Sequence, residues 1–431
     1  MTRLRRTAFA LASIVLAYLL CEVLAFAGYA VVRRELFSPP RFRDARAAII
    51  KAPRLQRPGK PGIIPDHKRD APRAEVIHPY LGFVWDPTVM TGMNEFGFPR
   101  TSPPLGGPDT SSVAIGVFGG SFAHGIAAYS GGIVEREVSR LPAFKGKTVR
   151  VYDFSIDGYK QPQQFLTLAY FLALGAHFDI VINVDGFNEV TIPPTELISK
   201  GVFPIYPRGW FTRVQGQGFD QESIAQLGEI ALAQRWRQQW AGWFQRAPLW
   251  LSPTVNMVWL VGDASIEARR QQLNVSFALH EAGQKEEISY ITTGPRIDLI
   301  RGQDPYRVLA IHWGRCSLQM HRFCRANGML YLHFLQPNQY LPGSKPLSES
   351  EQDFAYRRDS PLIEPVERGY PQLQQEGRAL RARGVWFTDL SMVFANHEET
   401  LYHDDCCHCN PQGYRIVAGR IIDEIRALTS P

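Results

Sequence analysis

The sequence predicts an α/β protein, a three-layer α/β/α sandwich around a central parallel sheet, carrying a mainly helical insertion and an N-terminal transmembrane helix. Five short apolar runs, at residues 113–118, 149–154, 179–184, 329–335 and 385–390, are each bounded by turn residues, as strands buried on both faces are. Helical stretches lie between or after them, at 163–174, 306–327, 372–383 and 413–428. This alternation implies crossover connections and a parallel sheet. The third observation is residues 7–32, which are apolar except for Glu22.

At about 1.5 Å per residue that segment crosses a ~30 Å hydrocarbon layer with room to tilt, so it reads as an anchor behind a cytoplasmic tail, residues 1–6. A cleaved signal peptide is the alternative, with Arg3, Arg5 and Arg6 as its basic start and Ala25-Phe26-Ala27 as a cleavage site. The length favours the anchor. Leu20 before Cys21 is too large for a lipid-attachment signal, and Glu22 is expected to face a partner helix or to snorkel. Arg33, Arg34, Arg41, Arg43 and Arg46 on the far flank oppose the positive-inside rule. The chosen topology, a single pass with an extracytoplasmic (periplasmic) body, therefore rests on the signal-like start and on clustered cysteines suited to an oxidising space.

Residues 33–75 form a Pro/Arg-rich linker, with seven prolines between Leu36 and Arg73 and no lasting apolar period. An extended tether is expected, either solvated or resting on anionic headgroups. Charge divides at its end. Residues 33–74 carry twelve Lys/Arg against four Asp/Glu, whereas 75–431 carry 32 against 36. A mildly acidic body argues against nucleic acid, because phosphate binding needs basic side chains on the folded surface.

The body, residues 76–431, is interrupted between its third and fourth strands by far more chain than one crossover helix needs, so about 191–304 is an insertion. It holds Trp210, Trp236, Trp240, Trp243, Trp250 and Trp259. Trp236, Trp240 and Trp243 share a helical face, which is expected to pack on the main domain, with a lid, substrate wall or membrane patch as the alternative.

Chemistry concentrates at the strand ends. The first strand runs into Gly119-Gly120-Ser121-Phe122, where glycine permits a tight turn and a helix start can aim N–H groups at an anion. Alone, such a sequence is more often only a turn. The second strand ends in Asp157-Gly158-Tyr159 and the third in Gly186-Phe187-Asn188-Glu189. Asparagine donates two hydrogen bonds without charge, which suits an oxyanion, although an Asx turn is its commoner use. Before the last helix stands His403-Asp404-Asp405-Cys406-Cys407-His408-Cys409, in which an Asp three residues before His408 can fix the imidazole tautomer.

Taken together, these blocks resemble the SGNH/GDSL hydrolase family, and in particular its membrane-anchored bacterial members, from His78-Pro79-Tyr80-Leu81-Gly82 and Asn94-Glu95-Phe96-Gly97-Phe98 to the final helix. Gly120 departs from the eponymous Asp, and Glu189 stands where many members have Asp. The resemblance implies a flavodoxin-like sheet and a serine esterase. Ser121 would be the nucleophile, His408 the base and Asp405 its orienting carboxylate, with Asp404 as the rival. The Ser121 and Gly158 N–H groups and the Asn188 amide would form the oxyanion hole, and no cofactor is implied. His124, His397 and His403 lack comparable spacing and are expected at the surface or in turns.

A zinc site in the last block has poor ligand spacing, so no metal is expected. Cys316 and Cys324 are too far apart along a helix to bond each other, but one of them could bridge to Cys406, Cys407 or Cys409 and brace the catalytic loop. Gln336-Pro337-Asn338-Gln339-Tyr340 leaves the fourth strand either toward substrate or as a plain loop. The expected partners are the membrane and an acylated small molecule or glycan, hydrolysed at an O-acyl ester, O-acetyl among the candidates. An O-acyltransferase using the same acyl-serine, and a non-catalytic glycan-binding or scaffold protein, are the competing functions.

Overall fold

Strands that pair in parallel need both faces covered, and the apolar runs of this chain are continuous for that reason. The computed structural model describes residues 3–52, 74–99, 101–214, 221–246, 248–283, 290–295, 299–300 and 302–430. Strands are β1 (Glu75–His78), β2 (Gly82–Trp85), β3 (Ser112–Gly119), β4 (Thr148–Ser155), β5 (Ile180–Asp185), β6 (Leu330–Leu335) and β7 (Trp386–Asp389). Helices are α1 (Arg3–Arg33), α2 (Pro39–Lys51), α3 (Ser121–Ser139), α4 (Gln163–Ala173), α5 (Phe187–Ile192), α6 (Trp210–Val214), α7 (Gln221–Phe244) and α8 (Pro253–Gly283). They continue with α9 (Tyr290–Thr293), α10 (Pro305–Ala326), α11 (Glu349–Phe354), α12 (Ile363–Ala382) and α13 (Pro411–Thr429).

The chain forms two compact units, Met1–His67 with Gly216–Glu287, and Lys68–Gln215 with Ile288–Pro431. The second contains the sheet, in the order β4-β3-β5-β6-β7 with every neighbour parallel. This is the doubly wound order of a flavodoxin-like sheet, with its crevice beside the central first strand. Alternation along the strands separates two cores. Val113, Ile115 and Val117 join Val134 and Val138 of α3 and Val417 and Ile421 of α13. Ala114 and Phe118 face Leu168 of α4, Trp313 of α10 and Tyr370 and Leu373 of α12. These helices cover the sheet on both sides. The antiparallel β1–β2 hairpin was not foreseen, because four-residue strands with little alternation carry no clear period.

A fully buried polar network lies beneath the sheet's carboxyl edge. The Asp185 carboxylate accepts from Trp313 Nε1 at 2.6 Å and from Asn183 Nδ2 at 2.7 Å, and lies 2.8 Å from His333 Nε2. Ser317 Oγ is 2.7 Å from His333 Nδ1. These are the residue types of a serine triad, yet Ser317 and His333 are 0% exposed, so the chain of bonds is structural.

In the first unit, α1 contains an apolar stretch, Thr7–Val31, long enough to cross a membrane. Part of the expected extended linker is instead helical. Two prolines suit the first turn of α2, and Phe42 and Arg46, one turn apart, are both buried. The remaining linker, residues 53–73, lies outside the described residues. The insertion is helical, as expected, but its Trp stripe is not a core face. Trp236 and Trp243 are more than half exposed, while Trp240 packs with Trp259, Tyr29 and Phe42. All six cysteines are free thiols, so the anticipated bridge to the catalytic loop is not formed. Cys324 and Cys407 instead fill the core as small apolar groups.

Candidate active site

The turn from β3 into α3 is built from two glycines that leave no room for a side chain. Gly119 has φ +152°, and a β-carbon there would collide with the Val184 carbonyl. A β-carbon on Gly120 would collide with the Asn188 amide. Ser121 therefore starts α3 with its N–H among the unpaired donors of the first turn and its hydroxyl at the carboxyl edge of the sheet.

Ser121 Oγ is 2.7 Å from His408 Nε2. The other ring nitrogen, Nδ1, bonds Oδ2 of Asp404, not Asp405. With the proton on Nδ1, His408 donates to the carboxylate and accepts from the serine. The Asp404 Oδ1 atom accepts the backbone N–H groups of Cys406, Cys407 and His408 at 3.0, 3.1 and 3.1 Å. One carboxylate thus folds the turn and holds the ring. Asp405 points elsewhere, its carboxylate 3.4 Å from Arg357 Nη1. The three-residue spacing that favoured Asp405 ignored this turn, in which the carboxylate reaches four residues forward.

Burial alone would raise the Asp404 carboxyl, but the His408 hydrogen bond and charge, with the backbone donors, hold it down at about 2. Burial likewise opposes a charged His408, and the hydrogen bond and charge of Asp404 outweigh it, raising its pKa above the ordinary histidine value.

The proposed oxyanion donors come from the neighbouring strands. Gly158 has φ +76° in the turn after β4, and Arg208 occupies the space a side chain would take. Asn188 lies in the first turn of α5, donating one amide hydrogen to the Tyr159 carbonyl at 2.8 Å and keeping the other. Glu189 ties these two turns together. It accepts from the Gln161 N–H at 2.9 Å, from the Gly186 N–H at 2.8 Å and from Gln164 Nε2 at 3.3 Å. Burial, and then the charge of Asp185, push its carboxyl well above the ordinary range. Glu189 thus fills a positioning role that the sequence reading could only leave open.

The segment after β6 braces the loop that carries Asp404 and His408. Asn338 Nδ2 donates to the Cys406 carbonyl at 3.0 Å, Gln339 Nε2 to that of Asp404 at 3.0 Å, and the Tyr340 hydroxyl to that of Asp405 at 2.9 Å. All three side chains are buried, which removes the substrate-contact reading. Of the other histidines, His124 lies 2.7 Å from Asp153 and His397 2.9 Å from Glu399. The ring of His403 lies 5.9 Å from that of His408, a closeness the sequence spacing did not convey.

Ligand atoms of Cys406, Cys407 and His408 lie within 4.8 Å of one another. Both His408 nitrogens are already engaged, so a metal there would displace Ser121 or Asp404.

No family model matches the sequence, and no curated protein does. Among solved structures, a GDSL-like lipase from Bacteroides thetaiotaomicron aligns with 74% of this chain and 93% of its own at 10% identity and TM-score 0.35. A candidate acylhydrolase from Bacteroides fragilis aligns with 75% of this chain and 92% of its own at 8% identity and TM-score 0.34.

Proposed function

We propose that this protein is a membrane-anchored serine esterase that hydrolyses O-acyl esters. The observation that carries the reading is the continuous hydrogen-bonded line from Ser121 through His408 to Asp404. A serine hydroxyl is a poor nucleophile unless an adjacent base takes its proton, and this geometry supplies the base and its orienting carboxylate. Ser121 Oγ attacks the ester carbonyl as its proton passes to His408 Nε2. The oxyanion meets the N–H groups of Ser121 and Gly158 and the free Asn188 amide hydrogen. Collapse of that intermediate expels the alcohol, which takes the proton from His408, and water then repeats the sequence to release the acid. Asn188→Ala should keep substrate binding and lose about 3 kcal/mol of transition-state stabilisation, read as kcat on a p-nitrophenyl ester.

The apolar stretch Thr7–Val31 supports anchoring. The extracytoplasmic body rests on the signal-like start and the clustered cysteines, and a glycan ester as substrate class on the family resemblance and that location. The first test is labelling of the full-length protein in detergent with a fluorophosphonate, with Ser121→Ala as control. Adduct confined to Ser121 is expected. A folded protein that takes no label would turn the reading to a binding or scaffold role.

A further inference from the structure

Glu22 lies inside the apolar helix α1, about 14 Å along its axis from Val31 at ~1.5 Å per residue. Its carboxylate does not reach out of the span. It is bonded by Ser252 Oγ, from the turn that joins α7 to α8, and, at 3.3 Å, by the Thr254 N–H at the start of α8. That contact brings the tip of the hairpin to the depth of Glu22. Beside the exposed Arg246, the turn and the first turns of α8 leave apolar side chains open: Leu249, Leu251, Val258 and Val261 are 41, 51, 53 and 65% exposed.

Backbone at such depth has no water to satisfy it, so every polar group of the turn needs a partner within the chain. This turn has them. Pro248 and Pro253 have no N–H to satisfy. Leu249 N–H donates to the Arg246 carbonyl at 3.0 Å and Leu251 N–H to that of Pro248 at 3.0 Å. Asn256 Nδ2 donates to the carbonyls of Trp250 and Ser252 at 2.9 and 2.8 Å, and Ser252 Oγ accepts from the Val255 N–H at 3.1 Å. Two cations close on the turn: Arg43 lies over the Trp250 ring at 5.6 Å, and the buried Arg46 over that of Trp259 at 4.9 Å while bonding Asn256 Oδ1 at 2.6 Å. A cleft of about 370 Å³, lined by Tyr18, Glu22, Leu249, Leu251 and Val255, opens between span and tip.

Resting on the anchoring reading above, we propose that the α7–α8 turn is a second membrane contact: it enters the leaflet beside α1, and a lipid acyl chain occupies the cleft between them. The apolar side chains of the tip face hydrocarbon, and Glu22 is the hydrogen-bond acceptor that holds the turn at that depth.

The test uses the full-length protein in native membranes with a photoreactive residue at one position at a time: Leu251→p-benzoylphenylalanine at the tip, Ile14→p-benzoylphenylalanine in the span, and Leu279→p-benzoylphenylalanine toward the far end of α8. After irradiation, adducts are identified by mass spectrometry. The expected result is phospholipid adduct at positions 251 and 14 in comparable yield, and none at 279. Lipid adduct at 14 with none at 251, or with protein crosslinks at 251 in its place, overturns the proposal and leaves the anchor standing. Absence of lipid adduct at both positions removes the anchor and the proposal together.

Discussion

Asp404 and Asp405 are adjacent and chemically identical, and the difference between them is only where the loop aims each carboxylate. Asp404→Asn removes the acceptor that holds the His408 tautomer, so kcat should fall by about 10³–10⁴ with substrate binding kept. Asp405→Asn should cost little, since its exposed contact with Arg357 is screened. The pair of variants, assayed on one ester, decides the assignment. The pH profile gives a second check. Because Asp404 raises the pKa of His408, the acid limb of kcat/KM should have its midpoint above the ordinary value of 6.5, and Asp404→Asn should move that midpoint down. Stability follows the same linkage with definite signs. The raised His408 contributes stability that is present below pH 6.5 and lost as pH rises through its folded value. The depressed Asp404 contributes stability above about 3.8 that is lost as pH falls toward about 2, so acid melts of the wild type and Asp404→Asn should converge there.

At the level of elements, the loop that carries Asp404 and His408 is held from outside itself. Glu351, which begins its contacts in α11, accepts the N–H groups of Leu401 and Tyr402 at 2.8 and 2.9 Å just before the loop. Lys345 neutralises it at 2.7 Å, both side chains being fully buried. Removing one partner of such a pair leaves an uncompensated charge, so Lys345→Met should lose about 3–5 kcal/mol in urea denaturation. Tyr340→Phe removes only one donor to the loop. It should cost about 1 kcal/mol of stability, and a fall in kcat at unchanged KM would separate positioning of His408 from general weakening. These contacts explain a limit of reading motifs in order. Ser121, Gly158, Asn188 and His408 stand out in the sequence because each follows a strand or precedes a helix at a glycine- or asparagine-marked turn. Asn338, Gln339, Tyr340 and Glu351 carry no such mark, and their partners lie far away along the chain.

Across the whole molecule, the two compact units differ in what they expose. The sheet unit buries its strands between helices, whereas α1 shows its apolar side chains on the outside. Alkaline carbonate should leave the full chain in the membrane pellet. Leu16→Arg with Leu19→Arg should release it, because each Arg at mid-helix costs about 2.5–3.5 kcal/mol of insertion.

The linear pattern of residues determined the parallel sheet, the apolar span, the helical insertion and the strand ends at which the chemistry gathers. Those features follow from periodicity and turn chemistry, which act over a few residues. Tertiary structure alone decided that Asp404 holds His408, that Glu189 joins the turns after the second and third sheet strands, that the cysteines stay unbridged and that the Trp-rich hairpin returns to Glu22. Each of these depends on distances between groups that the sequence keeps apart or places side by side without direction, and only packing sets such distances.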